Sequence, residues 1–351
     1  MKHVNIPVFI PHLGCPHDCV FCNQRTISGK TNFDITSVDY EISAALATID
    51  NNIDSDVEIA FFGGSFTGIA RSEMIRLLCI ADKYIKSGKV SSVRVSTRPD
   101  YINDEILTIL KQYSVGTIEL GIQCLNDEVL MKCKRGHTVR QALDACHFVK
   151  RYGFNLVGQM MTGLPGASPD DEINTATALC DIGVDGARIY PTVVFHGTEL
   201  AAMTDNGLYH NLATDDIIAR TSEVLAVFAD HNIPVIRIGL CASDNLYSES
   251  GIHSGNYHPA IGELAVNAVY YKLISDKLNA LDKSILEGSD IVIHCTKGAV
   301  SKVIGQKRSN KLKIQSEYNV KNVKVIENES ILDYNIYIDI NFNNKGESVC
   351  V

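Results

Sequence analysis

No apolar run in the 351 residues reaches the roughly 18 that a membrane-spanning helix needs, so no membrane role is expected. The first residues, Met1-Lys2-His3-Val4-Asn5-Ile6-Pro7, lack an apolar h-region and a small-residue cleavage site, and the chain is expected in the cytoplasm. An even cysteine framework is missing too. Of eleven cysteines, three crowd within eight positions and the others scatter through apolar segments, which argues against a disulfide-stapled secreted domain. Excess positive charge is also absent: a net charge of -9 speaks against binding nucleic acid over the whole surface, because phosphate contacts need local cations. What is present is the balance of a soluble globular protein, 45% apolar and 21% charged. The length exceeds one ordinary hydrophobic core unless the fold is an α/β barrel, so one barrel with a small appendage is expected.

From residue 4 to about 240 one unit repeats: a short β-branched apolar run, a Gly- or Pro-bearing turn, then a segment with helical spacing. Strands are predicted at Asn5 to Ile10, Val57 to Phe62, Val93 to Thr97, Thr117 to Gly121, Asn155 to Met160, Gly186 to Tyr190 and Val235 to Gly239. A helix is predicted over Ser72 to Lys86 with Ser72 as its N-cap. This alternation predicts an α/β fold, a parallel sheet of six or seven strands with helices outside it. Polar residues and glycines collect just after the strands, at Gly14 to Cys22, Gly63 to Gly68, Thr97 to Tyr101, Gln123 and Thr162 to Gly166. In parallel barrels that C-terminal rim is where active sites form.

Cys15-x-x-x-Cys19-x-x-Cys22 puts three thiolates on one loop that can wrap an iron-sulfur cube. Such clusters are usually held by four cysteines, so this loop either borrows a distant ligand or leaves one iron open to a substrate or cofactor. A structural zinc site is the alternative, with His12 or His17 as a fourth ligand. At the end of the second strand, Phe61-Phe62-Gly63-Gly64-Ser65 lets the backbone approach a ligand closely. Glu119, Gly121 and Gln123 alternate along the fourth strand and should share a face. A carboxylate in a barrel interior is costly unless paired, so Glu119 is a ligand contact or half of an ion pair, and the first is preferred.

The cysteine spacing resembles that of the radical S-adenosylmethionine (SAM) superfamily. Further segments, Ser96-Thr97-Arg98-Pro99-Asp100-Tyr101, Glu119-Leu120-Gly121-Ile122-Gln123, Arg135-Gly136-His137-Thr138, Gly163-Leu164-Pro165-Gly166 and Tyr190-Pro191, look like the radical SAM half of the Elongator catalytic subunit. Elongator installs carboxymethyl groups on wobble uridines of tRNA. The resemblance implies a partial (β/α)6-type barrel in which Cys15, Cys19 and Cys22 hold a 4Fe-4S cluster and SAM chelates the open iron. An electron supplied by a reductant of flavodoxin or ferredoxin type then splits SAM into methionine and a 5′-deoxyadenosyl radical. It also implies SAM contacts: Phe21 stacking on the adenine, Gly63, Gly64 and Ser65 at the methionine end, Thr97 and Gln123 on the ribose, Glu119 as a further contact, and Arg135 on the carboxylate. From the residues alone, Arg135 could instead pair with a helix carboxylate and Gln123 could cap its strand. Two features depart from the Elongator subunit. Its cysteines are spaced more widely, and its acetyltransferase domain is too large for the roughly 110 residues after position 240. The carboxymethylation activity therefore does not carry over, and the chain resembles a shortened bacterial relative.

The expected organisation is a barrel over 1–240, a connecting loop and helix over 241–284, and a small α+β domain over 285–351. Lys297, Lys302, Lys307, Arg308, Lys311 and Lys313 lie within 17 positions of that last domain. Its order of strand, helix, tight turn, helix, strand, strand resembles a KH module, whose Gly-x-x-Gly turn clamps a nucleic-acid backbone. Here Gly305-Gln306-Lys307-Arg308 has arginine in place of the second glycine. Lys302, Lys307, Arg308 and Lys311 are the candidate RNA contacts, and a solvated lysine face on a packing domain is the alternative. Three functions follow: an enzyme modifying tRNA or other RNA, a radical SAM enzyme on a small metabolite similar to oxygen-independent coproporphyrinogen oxidase, or a non-catalytic iron-sulfur or zinc module. The oligomeric state is open.

Overall fold

A computed structural model describes residues 2–10, 15, 18–23, 33–49, 55–241, 244–248, 251–255, 257–342 and 347–350. The histidines proposed for zinc, His12 and His17, lie outside them, as does Gly14 of the expected rim. Seven strands form one parallel sheet in the order β1-β2-β3-β4-β5-β6-β8: β1 (Lys2–Ile10), β2 (Ser55–Gly63), β3 (Ser92–Thr97), β4 (Val115–Gln123), β5 (Asn155–Thr162), β6 (Gly186–Pro191) and β8 (Val235–Ile238). All seven coincide with predicted runs. Between them come helices, the alternation of a parallel α/β half-barrel. A two-stranded antiparallel ladder, β7 (Val194–Phe195) with β9 (Ile252–Ser254), was not predicted because each strand is too short to carry a period.

One face of the sheet is apolar and meets the helices. Ile59, Val93, Val95, Ile118 and Leu120 are buried there, as are Leu77 and Leu78 of the helix Arg71–Lys86. Fully burying one such side chain contributes about 1.5–3 kcal/mol. That helix starts one residue before its predicted N-cap: Ala70 takes the cap position and Ser72 is already helical, with Glu73 in the first turn complementing the helix dipole. Elsewhere caps are explicit in the sequence. Thr138 with Gln141 and Ser168 with Asp171 form capping boxes, and Pro169 opens the second of these helices.

The chain divides into two compact units at places other than the expected 240 and 285: 1–213 with 233–257, and 214–232 with 258–351. The helix Ile261–Asn279, expected as a connector, is a core element of the second unit. Tyr270, Ile274 and Leu278 sit in one apolar cluster with Ile291, Ile293, Val303, Ile314, Ile338 and Ile340, and the helix also packs against Thr214–Asp230. Its apolar residues lie on several sides because it has neighbours on several sides. The second unit's sheet runs β11-β10-β12-β13, where β10 is Asp290–Cys295, β11 is Asn322–Glu327, β12 is Ile336–Phe342 and β13 is Glu347–Cys350. β10 pairs parallel with β11 and antiparallel with β12. The helices Val300–Ile304 and Ser309–Glu317 connect β10 to β11.

Candidate functional site

At the C-terminal rim of the sheet the loop bearing the cysteines is tied down on both sides. Cys22 N–H donates to Cys19 O (2.9 Å), closing a tight turn, while Val20 N–H donates to Cys133 O (3.2 Å) and Leu200 N–H donates to Val20 O (2.8 Å). Val20 and the half-buried Phe21 pack into an apolar cluster with Cys124, Val129, Leu164 and Val194. Cys19 is buried, whereas Cys15 and Cys22 are partly exposed. Among the described residues no three His, Cys, Asp or Glu side chains converge as a metal-binding group.

Arg135 comes to Cys19 from the link between two helices. The helix Asp127–Lys132 ends with Lys134 in the left-handed region (φ 51°) and Arg135 N–H donating to Leu130 O (2.9 Å). Three residues later Thr138 caps the next helix. Both ends of the link are thereby fixed, and the guanidinium is directed inward. Its Nη1 donates to Cys19 Sγ (3.6 Å) and its Nη2 to Gly121 O (2.7 Å). Gly121 is what allows this, because a Cβ there would stand 2.6 Å from Nη2. Arg98, held extended before Pro99, pairs with Asp100 at 3.0 Å through Nε and Nη2 and also donates to Arg135 O. Burial works against the charge of Arg98, but its hydrogen bonds and charge attraction to Asp100 hold its pKa above the ordinary arginine value.

Arg135 was expected on a SAM carboxylate, yet two of its three nitrogens are spent on Cys19 and Gly121. The other expected SAM contacts are likewise tied into the rim. Gly63 takes φ 111° with its missing Cβ facing Ile10 O at 2.8 Å, and Gly64 N–H donates to the same oxygen (2.7 Å). Ser65, Thr67 and Thr97 share their hydroxyls, Thr97 Oγ1 lying 2.8 Å from Ser65 Oγ and 2.6 Å from Thr67 Oγ1. Gln123 exchanges two amide hydrogen bonds with Gln159, at 3.0 and 2.8 Å. It does so with φ 68°, past a register shift in the pairing of β4 with β5, so simple alternation along β4 fails at its end. A non-glycine residue held left-handed at the end of a barrel strand is strain of the kind that collects at functional sites.

Glu119, expected as a ligand contact or as half of an ion pair, stands in an ion-pair ladder. Its Oε1 accepts from Arg94 Nη1 (2.9 Å) and Arg188 Nη2 (3.0 Å), and its Oε2 accepts from Ser96 Oγ (3.2 Å). Arg94 Nε also donates to Glu58 Oε2 (2.6 Å). Two carboxylates and two guanidiniums thus neutralise one another across strands β2, β3, β4 and β6, which is how charge is tolerated in that interior. Burial raises the Tyr190 phenol beside them against the opposing charge of Arg188, keeping it a neutral hydroxyl. Cys124 is packing, with its thiol pushed up to about 11 by burial.

Sequence reasoning passed over His137. It is buried, and its pKa is pushed down to about 3 by burial and by the charges of Arg135 and Arg98, against a weak opposing contact with the Ile122 backbone. The only signal was its place in the Arg135-Gly136-His137-Thr138 run. Arg135 Nε and Arg98 Nη1 are buried without partners among the described residues. A thiol-bearing loop beside two arginines with unsatisfied donors fits an anionic cluster and its ligand.

In the second unit, Gly298, Val300, Ser301, Ile304, Glu263 and Glu327 line a groove of about 660 Å³ together with the turn Gly305-Gln306-Lys307-Arg308. Lys307 (φ 53°) and Arg308 (φ 66°) are both left-handed, so the arginine takes a conformation usually left to glycine. Beneath them Asn310 Nδ2 donates to Val303 O and Asn267 O. Lys297 pairs with Glu329 and Lys313 with Glu317, whereas Lys302, Lys307, Arg308 and Lys311 have no carboxylate within ion-pair distance among the described residues. Again among the described residues, no helix is long and apolar enough to cross a membrane.

Known proteins agree with this geometry. The family model described as the radical SAM superfamily matches residues 9–179, and that of the radical SAM C-terminal domain matches 184–271. An uncharacterized protein of Methanocaldococcus jannaschii is 29% identical over 70% of this chain and 77% of its own length. Human Elongator complex protein 3 is 30% identical over 40% of this chain, a match spanning only 26% of the human protein. The archaeal Elp3 structure from Methanocaldococcus infernus, with an N-terminal deletion, shares the fold at a TM-score of 0.59 and 19% identity, over 82% of this chain and 66% of that one. With cysteine loop, parallel half-barrel and family models in accord, the chain belongs to the radical SAM superfamily, enzymes that use a 4Fe-4S cluster and S-adenosylmethionine.

Proposed function

We propose that this chain uses its SAM chemistry to modify RNA, tRNA being the first candidate, and that the turn at Gly305 to Arg308 grips the RNA backbone. When bound, the cluster and SAM supply a one-electron reductive cleavage that yields a 5′-deoxyadenosyl radical, with the electron drawn from a flavodoxin- or ferredoxin-type partner. Cys15, Cys19 and Cys22 are the cluster ligands in this reading. Phe21, Gly63, Gly64 and the hydroxyl group of Ser65, Thr67 and Thr97 form the rim against which SAM lies, and Gln123 closes that rim. The barrel's task is to hold the substrate carbon near the radical and exclude stray hydrogens and water.

The observation that carries the RNA assignment is the pair of left-handed cations, Lys307 and Arg308, on the edge of a groove in an otherwise acidic protein. Left-handed backbone costs roughly 1–2 kcal/mol for each such residue, a strain that a mere packing turn could relieve with glycine. The similarity to the Elongator protein supports the same substrate class. Carboxymethylation is not part of the proposal.

Anaerobic, dithionite-reduced protein given SAM and total RNA is the test. Release of 5′-deoxyadenosine, stimulated by RNA and accompanied by a new modified nucleoside in the mass spectrum, is the expected result. Release that is indifferent to RNA and leaves all nucleosides unchanged would remove the RNA assignment.

A further inference from the structure

We propose that Arg135 tunes the iron-sulfur cluster: its guanidinium donates to the sulfur of Cys19 and favours the reduced over the oxidised cluster. The inference rests on reading Cys15, Cys19 and Cys22 as cluster ligands, and it moves Arg135 from the SAM side to the metal side of the site.

Four observations lead there. First, Arg135 Nη1 lies 3.6 Å from Cys19 Sγ, within the range of an N–H···S hydrogen bond, while Nη2 is anchored on Gly121 O at 2.7 Å. Second, the neighbouring buried arginines are neutralised locally and Arg135 is not. Arg98 has Asp100, Arg94 has Glu58 and Glu119, and Arg188 has Glu119, whereas Arg135, only 7% exposed, has no carboxylate partner among the described residues. A buried cation left alone is strongly unfavourable, so this position needs an anion, and the cysteine loop beside it is where one forms. Third, the adjoining His137 is neutral and adds no charge. Fourth, the position is built for the guanidinium: Gly121 clears its path, and Arg98 Nη2 holds its backbone carbonyl at 2.5 Å.

The direction follows from charge. Reduction adds one electron to an assembly that its thiolates already make anionic, so a fixed cation at the sulfur stabilises the reduced form more. Cluster potentials respond to net charge and to hydrogen bonds on the sulfurs.

The experiment uses full-length protein reconstituted anaerobically and titrated redox-wise without SAM, with electron paramagnetic resonance as the readout. Wild type, Arg135→Gln, Arg135→Lys and Gly121→Ala are compared after measuring iron and sulfide. Arg135→Gln is expected to lower the ratio of reduced to oxidised cluster at a fixed potential by about tenfold, which is 59 mV for a one-electron couple. Arg135→Lys should lose less, and Gly121→Ala, which keeps the charge but displaces it, should fall between. A ratio for Arg135→Gln within about twofold of wild type overturns the proposal. Should that variant fail to hold iron, Gly121→Ala decides by the same criterion. Wild type without iron and sulfide would take down the cluster reading as well, whereas a normal cluster with an unmoved potential removes this inference alone.

Discussion

His137 shows how much a single buried side chain can hold. Burial together with Arg135 and Arg98 keeps its imidazole neutral down to about pH 3, against an ordinary value of 6.5. The unfolded chain therefore takes up a proton near pH 6.5 that the folded chain refuses until about pH 3. The stability it contributes is complete above pH 6.5 and falls as the pH drops through that window, by at most about 1.4 kcal/mol per pH unit. Urea unfolding of the apoprotein should accordingly lose less stability between pH 6.5 and pH 5 in His137→Gln than in wild type. Parallel losses in the two proteins would mean that His137 is not the group refusing the proton.

Among the elements, the turn between the helices Val300–Ile304 and Ser309–Glu317 carries the sharpest contrast between stability and use. Gly305 is obligatory: at φ 82° its Cβ would meet Ser309 Oγ at 2.5 Å and Asn310 N at 2.9 Å. Arg308 is not obligatory for the fold, since glycine takes φ 66° without strain. Arg308→Gly should therefore stabilise the second unit by about 0.5–1 kcal/mol, seen as a higher thermal midpoint, while weakening RNA binding. A loss of stability in that variant would show that the arginine side chain, not the function, maintains the turn.

At the scale of the whole molecule, a net charge of -9 opposes any polyanion, so the proposed RNA binding requires a few local cations. Binding measured between 50 and 200 mM salt should weaken steeply. The slope of log affinity against log salt should become shallower by about one for each of Lys302, Lys307, Arg308 and Lys311 replaced by glutamine. Lys86, already paired with Asp82 on the barrel unit, should leave the slope unchanged when replaced. A slope indifferent to all four turn cations would place any RNA contact elsewhere.

The sequence by itself determined what local chemistry decides. Val- and Ile-rich runs closed by Gly and Pro turns marked all seven strands of the main sheet, the compact spacing of Cys15, Cys19 and Cys22 marked the loop proposed for the cluster, and the Thr138 and Ser168 caps follow from residues three apart. Only the tertiary structure decided which partner each buried charge would find. Glu119 looked like a ligand because its partners, Arg94 and Arg188, are 25 and 69 positions away. Gly121 read as an ordinary strand glycine until Arg135 crossed it, and Ile261–Asn279 read as a connector until a sheet formed against it. Electrostatic pairing and packing act through distances in space, which a periodic pattern along the chain does not encode.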